Sequence, residues 1–416
     1  MNELALGRPA LAPARAQLDT SRFPARARAV LRLLERVQHG SLDLVFPDGQ
    51  QRHFGAGPPS TQLRLSNWSA LDATLRHGDI GFAESYVDGA WTSPDLVGLL
   101  RFFVRNRRAA EAAIYGSRWG NVLYRLRHLL RANTRAQARR NIHAHYDLGN
   151  AFYALWLDPT MSYSSALLAP ETEAAGTVPD EAALVAGQHA KYARVLAELQ
   201  LDAPSEILEI GCGWGGFAEI AARAGHRVTG LTLSTEQLAY AQTRLASQGL
   251  LAQLACRDYR DERRRYDAIA SIEMVEAVGE RYWPKYFATL WRCLKPGGRA
   301  CIQSIVIDDA LFARYRRGTD FIQQYIFPGG MLPSTTAFEA QARAAGLEVV
   351  ARHAFGHSYA LTLAAWRTRF VAQLAAVRAL GFDERFVRLW TFYLAYCEAA
   401  FAEGSTDVVQ FTLVRP

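Results

Sequence analysis

Residues 207–217 read Ile-Leu-Glu-Ile-Gly-Cys-Gly-Trp-Gly-Gly-Phe, and they constrain the fold more than any other part of the chain. A short apolar run surrounds Glu209, four glycines follow within six residues, and an apolar helical pattern begins at Phe217. A strand that turns through glycines into a helix lets backbone N–H groups approach a ligand closely. The stretch therefore predicts a strand–loop–helix unit that binds a nucleotide-like cofactor.

Two cofactor classes compete for this loop. Three of its glycines match G-x-G-x-x-G, the dinucleotide fingerprint, which also needs an acid about 20 residues further on for the ribose. The predicted second strand, at 226–233, ends without an acid. Glu209 instead places a carboxylate just before the first glycine, where it suits the cationic amine and sulfonium of S-adenosylmethionine (SAM). SAM is therefore favoured over a dinucleotide, and over a glycine turn that binds nothing.

Composition limits the remaining possibilities. A chain of 416 residues is too long for a typical single core, so we expect two domains. The formal charge of +7 suits an anionic membrane surface or a nucleic acid. The five scattered cysteines form no C-x-x-C pair, which predicts no metal site and fits a reducing cytoplasm. We find no signal peptide and no apolar run of about 18 residues, so any membrane contact is expected to be peripheral.

The pattern along the chain divides it into four parts. Residues 1–20 read as a loose tail, and 21–105 as a small α+β module. Residues 106–145 carry many arginines with leucines at helical spacing, which predicts a basic amphipathic linker helix; it could lie on a membrane surface, pack between domains, or do both. Because aromatic and basic residues are not interleaved there, nucleic acid is not an expected partner.

From about residue 146 to 416, strand-like and helical patterns alternate. This alternation predicts an open α/β sheet with helices on both faces and a ligand at the carboxyl ends of the strands. The last strand could be an added antiparallel one. The predicted strands are 206–210, 227–232, 251–255, 267–272, 299–306, 347–352 and 408–414.

Several further segments, taken in order, resemble one family. They are His145-Tyr-Asp-Leu-Gly-Asn150, Met161-Ser-Tyr163-Ser164-Ser165, Gly230-Leu-Thr232-Leu233-Ser-Thr-Glu-Gln237, Ser271-Ile-Glu-Met-Val-Glu276-Ala-Val-Gly279, Leu294-Lys-Pro-Gly-Gly298 and Tyr325-Ile-Phe-Pro-Gly-Gly-Met-Leu-Pro333. Together with the glycine loop they closely resemble the cyclopropane-fatty-acyl-phospholipid synthase family, which includes the mycolic acid cyclopropane synthases. The resemblance is strong from about residue 143 onward and weaker in the N-terminal module.

The resemblance implies a Rossmann-like, SAM-dependent methyltransferase that acts on a cis double bond in an acyl chain of a membrane phospholipid. A methyl cation adds to the alkene, a base removes a proton from the new methyl group, and the ring closes. In the family the base is a bound bicarbonate. The resemblance also implies a cytoplasmic enzyme on an anionic membrane surface, with the N-terminal module docking lipid. A homodimer is compatible with it.

The family's cofactor contacts carry over to positions of this chain. For Thr232 and Gln237 the alternative is an ordinary strand end and helix cap. The implied SAM-binding residues are Tyr163 and Ser164, then Glu209, Gly211 and Gly213 around the methionine part, Thr232, Leu233 and Gln237 for the ribose and adenosine, and Asp258 and Tyr259 beside the adenine.

The family's bicarbonate site carries over only in part. Glu276, the backbone of Ile305 and Tyr359 match it, whereas Ser165 replaces a cysteine and Gln303 a histidine. Serine and glutamine still hydrogen-bond an oxyanion, but Gln303 cannot take up charge as a histidine can. The product therefore stays open between a cyclopropane and a methyl or methylene branch formed after a hydride shift.

The acyl chain needs an apolar pocket, for which the sequence offers Phe321, Tyr325, Ile326 and Phe327. Aromatic faces there could stabilise a carbocation, or the four residues could simply be core. Rival functions are a methyltransferase for a soluble small molecule, an inactive membrane-docking relative and a dinucleotide oxidoreductase.

Overall fold

The computed structural model describes residues 23–107 and 148–416. The tail predicted over 1–20 and, beyond Arg107, the basic helix predicted over 106–145 lie outside the described residues. No helix within these two ranges is long and apolar enough to cross a bilayer.

The N-terminal unit is a four-stranded sheet covered by helices. Strands β1 and β2 form an antiparallel hairpin around the Pro47-Asp-Gly turn, and β3 runs parallel to β1, so the order is β2-β1-β3-β4. Helix α4 begins after Asp95, whose carboxylate accepts the Gly98 N–H at 2.9 Å. The elements are α1 (Ala25–Leu34), β1 (Gly40–Val45), β2 (Gln51–Ala56), β3 (Ser60–Leu65), α2 (Ser69–His77), α3 (Asp79–Val87), β4 (Trp91–Thr92) and α4 (Leu96–Arg105).

The second sheet has seven strands, and all seven predicted strands are confirmed. Its order is β10-β11-β9-β8-β5-β6-β7, with parallel pairing from β9 to β7. The last strand is antiparallel to both of its neighbours, as the sequence suggested. The strands are β5 (Glu206–Ile210), β6 (Arg227–Thr232), β7 (Ala252–Cys256), β8 (Tyr266–Ile272), β9 (Leu294–Ile307), β10 (Glu348–Ala354) and β11 (Thr406–Val414).

Helices cover both faces of this sheet, as predicted. Neighbouring strand residues such as Ile207 and Leu208 belong to two different hydrophobic clusters, because successive side chains of a strand point to opposite faces. The helices are α5 (Asn150–Ala154), α6 (Pro170–Ala175), α7 (Glu181–Glu198), α8 (Gly216–Arg223), α9 (Thr235–Ala246), α10 (Trp283–Cys293), α11 (Asp309–Tyr315), α12 (Phe321–Tyr325), α13 (Thr335–Ala344), α14 (Gly356–Ala372), α15 (Leu374–Ala379) and α16 (Glu384–Ala402).

Helix α16 joins the two units through one continuous core. Phe392 on this helix is buried, and its ring centroid lies 5.5 Å from that of Tyr86 in the N-terminal unit and 5.0 Å from that of Phe321. Just beyond the helix, Glu403 accepts hydrogen bonds from Arg101 and Arg105 of α4, at 2.7 and 2.8 Å. The N-terminal unit is thus held against the larger sheet by packing and by paired charges.

Truncating Phe392 should loosen this junction. We expect Phe392→Ala to lower the free energy of unfolding by about 3–5 kcal/mol, because a large aromatic side chain is removed from a closed core. Val371→Ala, at an exposed position on α14, should change stability by no more than about 0.5 kcal/mol. Equilibrium denaturation followed by tryptophan fluorescence measures the stability of both variants. Equal stability of the two would show that Phe392 does not hold the two units together.

Candidate active site

A cavity of about 180 Å³ lies at the carboxyl ends of β5, β6 and β8. This is where ligands bind in open α/β sheets, since the loops after neighbouring parallel strands meet there. The cavity brings together all ten residues predicted to bind the cofactor, although they span almost a hundred positions of the chain. They are Tyr163, Ser164, Glu209, Gly211, Gly213, Thr232, Leu233, Gln237, Asp258 and Tyr259.

The glycine loop has the backbone geometry that its sequence predicts. Gly211, Gly213 and Gly215 adopt φ values of 86°, 49° and 85°, in the left-handed region that favours glycine. The Gly211 N–H donates to the carbonyl oxygen of Leu231 at 2.9 Å, which ties the loop to the end of β6. Among the residues that the structure describes, apart from Gly213 and its two chain neighbours, no heavy atom lies within 4 Å of the position that a Cβ on Gly213 would take, so the loop backbone stays open to the cavity.

Glu209 supplies a buried carboxylate at the start of the loop. Burial raises the pKa of Glu209 to about 8. Within the described ranges its Oε2 atom has no hydrogen-bond partner, although the side chain is only 3% exposed. A buried carboxylate oxygen without a partner is costly unless a ligand satisfies it. The ammonium group of SAM is a suitable partner, so the cavity fits this cofactor.

The polar residues at the end of β6 are joined by hydrogen bonds. Ser234 caps helix α9 by accepting the Gln237 N–H at 3.2 Å. The Gln237 side chain in turn accepts a hydrogen bond from Thr232 Oγ1 at 3.2 Å, and both residues line the cavity. On the next loop, the Asp258 carboxylate accepts hydrogen bonds from Arg260 Nε at 2.9 and 3.0 Å. Their contacts with the cofactor stay predictions.

The predicted catalytic residues meet around Glu273, which the sequence reasoning did not single out. Its carboxylate accepts hydrogen bonds from the Ser165 N–H at 2.9 Å, Gln303 Nε2 at 2.7 Å and Tyr359 Oη at 2.6 Å. Glu273 also lines the cofactor cavity. The signal available in the sequence was the pair of glutamates three residues apart, Glu273 and Glu276, at the end of β8.

The backbone of Glu273 is strained. Its φ of 49° lies in the left-handed region, where a residue other than glycine is uncommon. Its N–H donates to the carbonyl oxygen of Gln303 at 2.8 Å, which helps to hold the conformation. Such strain persists where surrounding contacts enforce it and is frequent at functional sites. The strained backbone thus belongs to the residue whose carboxylate accepts the three hydrogen bonds.

Glu276 and Ile305 form a second contact beside this group. The Ile305 N–H donates to Glu276 Oε1, while Glu276 Oε2 is buried without a partner in the part of the chain that the structure describes. Burial, and then the nearby charge of Glu273, raise the pKa of Glu276 to about 8. Burial also raises the pKa of Glu273, but the Tyr359 hydrogen bond and the charge of Lys191 lower it.

The four residues proposed for the acyl pocket have different surroundings. Phe321 is fully buried against α16 and belongs to the core, as does the buried side chain of Ile326. The Tyr325 hydroxyl donates to Glu84 of the N-terminal unit. Phe327 is partly buried against the same core, and its ring centroid lies 6.4 Å from that of Tyr393.

Tyr393 links this apolar region to the cofactor cavity. Its hydroxyl lies 2.6 Å from that of Tyr163, which lines the cavity. Aromatic rings therefore continue from the cofactor cavity toward Phe327. Their faces could stabilise a cation formed between them.

The fold and the site define a class of protein. A seven-stranded α/β sheet, a glycine loop after an inner strand, and a cavity with a carboxylate for a cationic ligand are those of a SAM-dependent methyltransferase. The family described as mycolic acid cyclopropane synthetase matches residues 133–411, and this chain belongs to that family.

Relatives and solved structures agree with this assignment. The chain is 38% identical to the tuberculostearic acid methyltransferase of Mycobacterium tuberculosis, over 96% of this chain and 97% of the relative. It is 34% identical to the cyclopropane-fatty-acyl-phospholipid synthase of Escherichia coli K12, over 86% and 89%. A mycolic acid cyclopropane synthase solved with S-adenosylhomocysteine (SAH) and CTAB superimposes with a TM-score of 0.61 at 30% identity, covering 66% of this chain and 98% of that one.

A side chain on Gly213 should abolish SAM binding. Valine would be strained at the φ of 49° and would occupy space that opens to the cavity. Gly249→Val is a matched control, because Gly249 has a φ of 65° and open surroundings but lies on an exposed turn away from the cavity. Titration calorimetry with SAM should detect binding only in the control; binding by both variants would exclude this loop as the cofactor site.

Proposed function

We propose that this enzyme transfers a methyl group from SAM to the double bond of an unsaturated acyl chain in a membrane phospholipid. We propose further that the product is a methylene-branched chain and that Glu273 is the base. The observation that carries the proposal is the Glu273 carboxylate, which lines the cofactor cavity and is held by three donors. The family membership supports the reaction class.

A bound bicarbonate does not fit these surroundings. The N–H groups and hydroxyl expected to hold it already donate to carboxylates of the chain: those of Ser165, Gln303 and Tyr359 to Glu273, and that of Ile305 to Glu276. A further anion would have to break these contacts and replace a carboxyl group of the chain, and a second negative charge beside a carboxylate in a poorly solvated site is strongly disfavoured. Glu273 therefore takes the place of an external base.

The proposed steps balance without a further reagent. When bound, SAM supplies an electrophilic methyl group. One alkene carbon of the acyl chain forms a bond to this methyl carbon as the carbon–sulfur bond breaks, leaving a cation on the neighbouring carbon. A hydride then moves from the methylated carbon to its neighbour, so that the cation becomes tertiary. Glu273 removes a proton from the methyl group, and the released electron pair forms the double bond between this carbon and the chain, which gives the methylene branch.

The fixed position of Glu273 favours the branch over the ring. Ring closure needs a base at the methyl group as soon as the first cation forms. A carboxylate held at the end of β8 by three hydrogen bonds is a weaker base than a free one, so it removes the methyl proton slowly and leaves time for the hydride shift. A saturated methyl branch would need a separate hydride donor. The relative that covers nearly the whole chain is named a methyltransferase rather than a cyclopropane synthase, which agrees with branching.

Peripheral membrane binding on the cytoplasmic side is part of this proposal. An acyl chain inside a bilayer can be reached only by an enzyme that contacts the lipid surface. The net charge of +7 supports attraction to anionic lipids. Purified enzyme should therefore modify vesicles of dioleoyl phosphatidylglycerol and leave free oleate and soluble amines unmodified; the reverse preference would favour a small-molecule methyltransferase.

Replacing the base should stop turnover without weakening cofactor binding. We expect Glu273→Gln to reduce the single-turnover rate by about 100-fold or more, the usual contribution of a general base. Glu348→Gln, at an exposed position on β10, should leave the rate unchanged. Radiolabelled methyl transfer to vesicles measures the rate and calorimetry measures SAM affinity. Undiminished transfer by Glu273→Gln would overturn the role of Glu273.

The product type needs a test other than mass, because a cyclopropane and a methylene branch are isomers. Lipids from a host with oleoyl and vaccenoyl chains that expresses the enzyme should be treated with ozone before mass spectrometry. A methylene branch is cleaved to a ketone, whereas a cyclopropane survives. We expect ketone fragments; intact chains would show that the enzyme makes a ring and would refute the branching part of the proposal alone.

A further inference from the structure

Lys191 is a buried lysine on α7 whose side chain points toward the active site. It is 0% exposed, and its Nζ atom donates to Ser164 Oγ and to Gln188 Oε1, both at 2.5 Å. The ring of Tyr192 lies 4.2 Å from the same nitrogen. Gln188 also donates to the Ser164 carbonyl oxygen, at 2.9 Å. Within the described residues, the hydrogen-bond partners of this ammonium group are therefore neutral.

Burying a lysine at this position costs free energy that its charge must offset through another interaction. Lysine is almost never fully buried without a charged partner, because its ammonium group loses its hydration. Burial lowers the pKa of Lys191 to about 7, while the carboxylates of Glu273 and Asp158 raise it. Glu273 lies at the end of β8, and Asp158 lies in the loop that follows α5. The charges of these two acids act on the lysine. If packing were the only requirement, a methionine could fill this space without the cost of desolvating an ammonium group.

The contacts of Lys191 reach both the cofactor cavity and the proposed base. Ser164, which it holds, lines the cofactor cavity. The next residue, Ser165, donates its N–H to Glu273. In addition, Lys191 is the cation whose charge favours the ionised form of Glu273. One side chain thus contacts the cofactor segment and stabilises the charge on the proposed base.

We propose that Lys191 is a positioning residue whose ammonium charge keeps Glu273 ionised while its hydrogen bond fixes the Ser164–Ser165 segment against it. The inference rests on the function proposed above, in which Glu273 accepts the proton. When Glu273 becomes protonated, its negative charge disappears and Lys191 becomes easier to deprotonate.

The pH dependence of methyl transfer tests the charge. Loss of the ammonium group raises the pKa of Glu273, and the base works only when it is deprotonated, so the acid limb of the rate profile must move to higher pH. We expect Lys191→Met to shift its midpoint by about one pH unit, which means about tenfold slower single-turnover transfer on the acid side and recovery at alkaline pH. Lys295→Met, at a partly exposed ion pair with Asp267, should keep the wild-type profile.

A second variant separates the charge from the hydrogen bond. Lys191→Gln can still donate to Ser164 but carries no charge. If charge is the role, Lys191→Gln shifts the profile as Lys191→Met does; if Lys191 only supports the segment, the glutamine restores the wild-type midpoint and overturns the proposal. A uniform loss of rate at every pH in both variants also overturns it. Circular dichroism and SAM affinity identify any variant that fails to fold.

The two proposals can fail separately. An active Glu273→Gln variant would refute the role of the base whatever the lysine variants do. An inactive Glu273→Gln variant together with unshifted profiles for Lys191→Met and Lys191→Gln would refute only the role of Lys191.

Discussion

The convergence of three hydrogen-bond donors on the Glu273 carboxylate is the interaction on which the active site depends. The donors come from distant parts of the chain: the segment before α6, strand β9 and helix α14. Each contact fixes one element relative to the end of β8. Glu273, which accepts all three hydrogen bonds, also has a strained backbone. The hydrogen bonds that hold the Glu273 carboxylate are consequently also contacts that pack the walls of the site together.

Charge is distributed unusually around this point. Glu209 and Glu276 both have pKa values raised to about 8 by burial, and the pKa of Lys191 falls to about 7. Near neutral pH the site can therefore exchange protons among groups that would hold a fixed charge in water. Glu209, at the start of the glycine loop, and Glu273, after β8, line the same cavity, the first beside the predicted cofactor and the second as the base that we propose.

Helix α16 connects this chemistry to the N-terminal unit. One side of the helix carries Phe392, which packs on the N-terminal aromatic residues. The next residue, Tyr393, contacts Tyr163 at the cofactor cavity. The same helix therefore contacts both the N-terminal unit and a residue that lines the cofactor cavity.

The sequence by itself determined the sheet and the cofactor loop. Seven strands were predicted within a few residues because helical patterns lie between most of them. Eight of the ten cofactor residues lie in local motifs next to strand ends, which parallel pairing brings together, while Tyr163 and Ser164 lie in the loop between α5 and α6. Only the tertiary structure decided what surrounds the residues predicted to bind bicarbonate. Ser165, Gln303 and Tyr359 were recognised singly as substitutions or matches in a bicarbonate site, but no local pattern shows that all three donate to Glu273. Hydrogen bonds between residues 30 to 108 positions apart depend on how the elements pack, and that packing places a carboxylate of the chain where an external base was expected.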